Sequence, residues 1–214
     1  LTAQHEPSVE ELLRRAGAGD PDAAGQVVMA YDERLRRVVR LRLDARVARR
    51  VDVDDVLQET HIEALQRLPE FLAQREVPLL IWLRFLAVQR CLTLARRHLA
   101  AAARDVRRER QLAEPESDAT SMALEHALAA SLTSPSRAAA RNETRVGLRT
   151  AVQALEPLDR EILCLRHFEE LDNAESAAVL GIAQAAASKR YIRALARLRS
   201  VLAAAGVDSA STGL

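Results

Sequence analysis

The prolines bound the length of every regular element this chain can form. Pro7, Pro21, Pro69, Pro78, Pro115, Pro135 and Pro157 stand between stretches that read well as helices. A proline inside a helix removes an amide donor and crowds the preceding turn, so it marks a boundary. Helical segments of about 10 to 25 residues are expected between them. Only 7 glycines and 3% aromatics accompany abundant Ala, Leu and Arg, which favours helix propensity over a sheet-forming mixture. The expected fold class is all-α.

Between residues 111 and 138 the composition shifts to Ser, Thr, Ala and Glu, with "AEPESDATS" and "TSPS" on either side of a weak helical piece, Met122 to Leu132. This reads as a linker. One helical domain is expected at residues 8–110 and a second at 139–203, with a disordered Gly/Ser/Ala tail at 204–214. Cys91 and Cys164 lie far apart in apolar stretches, which gives no disulfide framework and no zinc motif, and suits two buried thiols in a reducing compartment. The N-terminus lacks the layout of a signal peptide, and the apolar runs are broken by Arg well before the roughly 20 residues of a membrane span. A cytoplasmic protein without a membrane span is expected.

The net charge of +1 hides a sorted distribution. Residues 83–110 carry +6 and residues 184–199 carry +5, which leaves −10 for the rest. Cations present only for solubility would be mixed with acids, so two basic elements in an otherwise acidic chain point to polyanionic partners.

The segment "LDNAESAAVLGIAQAAASKRYIRALARLRSVL" reads as helix, tight turn, helix. Asp172 can cap the first helix with Glu175 three residues on, as in a capping box. Gly181 then supplies the turn, where a side chain would crowd the second helix, and Ile182 plugs the angle between the two. At about 100° per residue, Tyr191, Leu195, Leu198 and Leu202 share one face, with Lys189, Arg190, Arg193 and Arg197 roughly opposite. A basic stripe alone also suits a solvated face. The turn and cap before it favour a helix-turn-helix whose second helix enters the major groove, with Gln184, Ser188, Lys189 and Arg190 toward bases and Arg193 and Arg197 on phosphates.

In "VDVDDVLQETHIEALQRL", Leu57, Ala64, Leu65 and Leu68 share the inward side, while Asp55, Gln58, Glu59 and Ile62 cluster outward. An apolar centre ringed by acids and an amide resembles a docking patch, although acids near a helix N-terminus also simply complement its dipole. Residues 82–108 repeat the divided layout, with Phe85, Val88, Leu92, Ala95 and Leu99 on one side and Arg90, Arg97, Arg104 and Arg108 nearly opposite. Nucleic acid is the natural counterpart of that stripe, and Trp82 reads as a core anchor.

Taken together, these motifs resemble the bacterial sigma-70 superfamily, specifically its small extracytoplasmic-function group, over about residues 9–203. "DDVLQET" (Asp54 to Thr60) looks like region 2.2, the surface for the β′ clamp helices of RNA polymerase. The resemblance thereby makes Asp55, Gln58, Glu59 and Ile62 core-enzyme contacts. "LLRRAGAGDPDAA" and Tyr31 are similar to region 2.1, and "WLRFLAVQR" to regions 2.3–2.4. The stretch from Leu155 to Arg199 looks like regions 4.1 and 4.2.

The resemblance implies that the second domain reads the −35 element as duplex and that the first opens the −10 element. It also implies that a non-template base is captured by the loop between the third and fourth helices of the first domain, by position Leu68 to Leu80 with Phe71. Phe71, Arg90, Arg97, Arg104 and Arg108 are accordingly the −10 candidates. Implied partners are core RNA polymerase through its β′ and β subunits, promoter DNA, and an anti-sigma factor. Two departures stand out: Gln89 occupies a position often filled by Asn, and Ala185, Ala186 and Ala187 replace a more usual small-Thr-Val run.

The expected function is a sigma factor that directs core polymerase to promoters and supports strand opening. No phosphate-cradling loop or HExxH motif is present, and His5, His61, His98, His126 and His167 lack ligand spacing, so no cofactor, metal or enzymatic activity is expected. Asp54 and Asp55 diverge on a helix and make a poor acid/base pair. The alternatives are an ordinary helix-turn-helix regulator with an N-terminal dimerisation or sensing domain, and a helical adaptor that binds polymerase but not DNA.

Overall fold

The structure, a computed structural model, describes residues 7–43, 47–105, 120–121, 123–125, 127–129 and 140–204, and for 98–105 and 140–146 only the backbone. Arg108, most of the expected linker and the tail from 205 onward lie outside the described residues, as does the side chain of Arg104. Every regular element described is helical.

The first lobe holds α1 (Val9–Gly17), α2 (Pro21–Met29), α3 (Asp32–Arg42), α4 (Val53–Gln74) and α5 (Leu79–Asp105). Three of these begin on a side-chain cap: Ser8 accepts from the Glu11 amide, Asp20 from those of Asp22 and Ala23, and Asp52 from that of Asp54. Each supplies an oxygen to an amide that has no partner within its own helix. The lobe's core interleaves Leu35, Val38 and Val39 of α3 with Leu57, Ala64 and Leu68 of α4 and Leu83, Leu86 and Ala87 of α5.

The second lobe comprises α6 (Ala140–Gln153), α7 (Pro157–Leu163), a π-helical turn over Cys164–Phe168, α8 (Asn173–Leu180) and α9 (Gln184–Ala204). Its core joins Leu148 and Val152 to Ile162, Leu163, Ala187, Ala194, Leu198 and Leu202. Leu124 and Leu128 are fully buried in the same core, so the segment expected as a linker docks a helical piece onto the second lobe.

An apolar cluster of Leu80, Leu165 and Leu171, with Tyr31, Val179 and Leu180 packed against it, joins the lobes. Beside it runs a seam of opposite charges. Arg42 of α3 donates to Glu161 at 2.7 Å and to Glu169 at 2.5 Å, and Arg84 of α5 donates to Glu169 at 2.5 Å and to Glu161 at 3.1 Å. Farther out, Arg34 meets Glu175 at 2.7 Å and Arg37 meets Glu170 at 2.9 Å. At every one of these contacts the first lobe supplies the cation and the second the acid.

Four expectations change. Pro69 lies inside α4, which runs on to Gln74, and not at a boundary. Pro69 and Leu65 both face water, where a carbonyl that loses its amide donor can be hydrated. Leu65, expected inward, is 40% exposed because the buried line of α4 runs through Thr60, Ala64, Leu68 and Phe71. Phe85, expected in the core, is 53% exposed, because α5 turns Leu83, Ala87 and Cys91 inward and lets Arg84 inward as well to meet the second lobe's acids. Gly181 is required by its backbone, at φ 63°, and not by crowding: a Cβ there would have nothing within 4 Å. Both cysteines are free and buried, and burial pushes their thiols up to about 12.

Candidate nucleic-acid interface

The α8–α9 pair is built from local signals. The Asp172 carboxylate accepts from the Glu175 amide at 2.7 Å while the Glu175 carboxylate accepts from the Asp172 amide at 2.9 Å, a complete capping box. Gly181 closes α8 in the left-handed conformation, and Ile182 packs on the second core. The base of α9 is fixed by Tyr191, whose hydroxyl lies 2.9 Å from His167 Nε2 and whose ring lies under the Arg166 guanidinium at 5.3 Å. Burial, reinforced by the charges of Arg166 and Arg199, holds the His167 imidazole below its ordinary pKa.

The basic arc of α9 is divided in two. Gln184, Ser188, Lys189 and Arg193 are exposed, and neither Lys189 nor Arg193 has a salt bridge among the described residues. Arg190 and Arg197 turn toward α7 instead, where the nearly buried Asp159 accepts from them at 2.7 and 3.3 Å and Glu156 lies 3.9 Å from each. Arg190, expected to reach bases, is thus held against the lobe. The sequence could not show this, because Asp159 lies 31 residues away.

On α4, Asp55, Gln58 and Glu59 are exposed beside Ile62, which is 49% exposed. The patch is therefore presented as its periodicity predicts. Arg90 of α5 reaches across to Glu59 at 3.1 Å and Glu63 at 2.9 Å, so this cation braces the acidic helix. Arg97 is exposed. Phe85, which the sequence assigned to the core, stands on the outer surface of the same helix; its exposure follows from the inward turn of Arg84 and has no local signal.

Phe71 is not a loop residue. It lies in α4, buried, with its ring stacked on Trp82 at 4.6 Å, and Trp82 packs on the first core as expected. The loop itself is short: Arg75 closes α4 at φ 43° and Pro78 precedes α5. Phe71, Arg75, Val77 and Leu79 line a cleft of about 340 Å³ beside it. Among the described residues no group of His, Cys, Asp and Glu is placed to hold a metal ion, and no helix is long and apolar enough to cross a membrane.

The first lobe thus carries an exposed acidic patch and the second a helix-turn-helix with exposed cations. The family model for Sigma-70 region 2 matches residues 27–100, and that for Sigma-70 region 4 matches residues 145–198, one in each lobe. RNA polymerase sigma factor NccH of Alcaligenes xylosoxydans xylosoxydans is 30% identical over 205 residues, spanning 92% of this chain and 96% of that protein. RNA polymerase sigma-E factor of Streptomyces coelicolor is 37% identical over 65 residues, 30% of this chain and 37% of that one. A solved structure of CnrH in complex with the cytosolic domain of CnrY shares the fold at TM-score 0.50 and 24% identity, covering 90% of this chain and 96% of that one. The chain belongs to the sigma-70 family and, within it, to the extracytoplasmic-function sigma factors.

Proposed function

We propose that this sigma factor directs core RNA polymerase to promoters by docking through α4, reading the −35 element as duplex with α9, and opening the −10 element with α5 and the loop before it. The observation that carries the reading is the separation of exposed groups. Asp55, Gln58, Glu59 and Ile62 form an acidic patch with an apolar centre on the first lobe, while Lys189 and Arg193 on the second are exposed and make no salt bridge among the described residues. Carboxylates suit a basic helix of a protein partner, and unpaired cations suit phosphates.

In this reading Arg97 steers the −10 strand and Arg90 contributes through the brace it makes with Glu59 and Glu63. Arg104 and Arg108 continue the basic course of the sequence. The cleft beside Arg75 and Val77, with Phe71 in its wall, offers a flipped base a pocket, and Phe85 offers the unpaired strand an exposed ring. On the second lobe Gln184, Ser188 and Lys189 reach base edges and Arg193 grips phosphate. Arg190 and Arg197, held by Asp159, add charge at the groove's edge. A masking protein comparable to the CnrY cytosolic domain is proposed as a further partner by the likeness to CnrH.

The test is reconstitution with sigma-free core polymerase on a genome-wide template set, followed by mapping of transcript starts. Starts that appear only with the protein, each preceded by a shared pair of elements, are expected. Identical starts with and without it, or none at all, would overturn the reading.

A further inference from the structure

We propose that α9 reads thymine through its 5-methyl group, with Ile192 as the contact residue; this deepens the −35 reading above and rests on it. Ile192 is 63% exposed, more than any other large hydrophobic side chain among the described residues. It does not stand on a loop or a frayed end, but in the middle of a helix fixed to the lobe by Ala187, Ala194, Leu198 and Leu202. At about 100° per residue, Ala185, Ile192 and Ala196 fall within about 40° of one another, and the buried Ala194 lies directly opposite. All three are exposed. Around Ile192 the outward midline of the helix is therefore small and apolar, with the exposed Ser188 at its edge and the exposed Arg199 two turns further on.

Charge decides what that midline faces. Lys189 and Arg193 flank it on one side, exposed and without a salt bridge among the described residues, whereas Arg190 and Arg197 are drawn off toward Asp159 and Glu156. Phosphates bound by Lys189 and Arg193 bring the midline, and Ile192 with it, over the floor of the major groove, which accepts an α-helix. There a guanine is read by Arg or Lys and an adenine by Asn or Gln, while the group that an aliphatic side chain recognises is the thymine methyl. The small Ala185 and Ala196 on either side let the helix backbone approach closely enough for a branched side chain of Ile192's length to reach it.

The experiment uses holoenzyme assembled from the full chain and core polymerase. Duplexes are selected from a randomised library by binding. Each thymine of the selected −35 segment is then replaced, one at a time, by uracil, which keeps the hydrogen-bonding edge and lacks the methyl. At one or two positions uracil is expected to weaken binding about fourfold, the value of one buried methyl-sized group. Ile192→Ala is expected to bind thymine and uracil duplexes equally, Ile192→Val to keep part of the difference, and both to bind core polymerase as the parent does.

Equal binding of thymine and uracil duplexes by the parent overturns the proposal, as does a difference that survives in Ile192→Ala. A loss of polymerase affinity in Ile192→Ala would instead make the residue a protein contact. Failure of the library to yield any preferred duplex would remove the −35 reading along with it. Selection without methyl dependence removes only the inference about Ile192.

Discussion

Glu169 is fully buried between Arg42 and Arg84, and its ionisation couples fold to pH. Burial pushes its carboxyl up, but the charges and hydrogen bonds of the two arginines outweigh that and hold it below the ordinary value of 4.5. The unfolded chain therefore binds the proton more readily than the folded one. The stabilisation is present above about pH 4.5 and is lost as pH falls through the folded value. Glu169→Gln leaves two buried guanidiniums short of a charge and is expected to cost about 3 to 5 kcal/mol at pH 7 in urea unfolding. The same variant should lose less stability than the parent between pH 5 and pH 3; parallel acid limbs would show that Glu169 is not the titrating group. None of this is legible in the sequence, because Arg84 and Glu169 are 85 residues apart. A wheel drawn on leucines alone therefore puts Phe85 inside and leaves Arg84 out.

At the scale of single elements the sequence is far more informative, because the forces that start and stop helices act over three or four residues. Asp172 and Glu175, three apart, form the capping box their spacing announces, and Gly181 ends α8. Asp172→Ala is expected to lower stability by about 1 kcal/mol. Gly181→Ala should cost about 1 to 2 kcal/mol, since the left-handed backbone strains any β-carbon even in open space. Gly181→Asn should cost less, as asparagine tolerates that conformation. Equal costs for Ala and Asn, measured by thermal unfolding, would shift the explanation from backbone to packing. The exposed patch of α4 was legible for the same reason: Asp55, Gln58, Glu59 and Ile62 fall on one side by period alone. Gln58→Ala combined with Ile62→Ala is expected to weaken binding to core polymerase tenfold or more with the melting temperature unchanged, because both side chains are exposed in the isolated chain. Unaltered binding in a pull-down with β′ would remove α4 from the interface. Pro69 marks where local rules stop, since a proline on a wet face can be carried inside a long helix whose other side is held by Ala64, Leu68 and Phe71.

On the whole molecule, the arginines have two destinations. Those of α9 partly face outward, while Arg34, Arg37 and Arg42, which lie outside the two basic runs of the sequence, and Arg84 join the lobes by meeting Glu175, Glu170, Glu161 and Glu169. The outer pairs are partly exposed and contribute little, while the inner pairs to Glu169 are buried and are screened weakly by salt. The two lobes should therefore unfold together. Calorimetry of the parent chain is expected to show one transition, retained when the salt is raised from 0.1 to 1 M because only the outer pairs weaken. Replacing both Glu161 and Glu169 with Gln removes the acids that neutralise Arg42 and Arg84, and the seam then brings two unpaired cations together across an apolar contact. The lobes should separate in that variant, giving two transitions of unequal midpoint in place of one. Survival of a single transition would assign the coupling to the apolar cluster around Leu165, in which case Leu165→Ala should divide the transition where the paired glutamates do not.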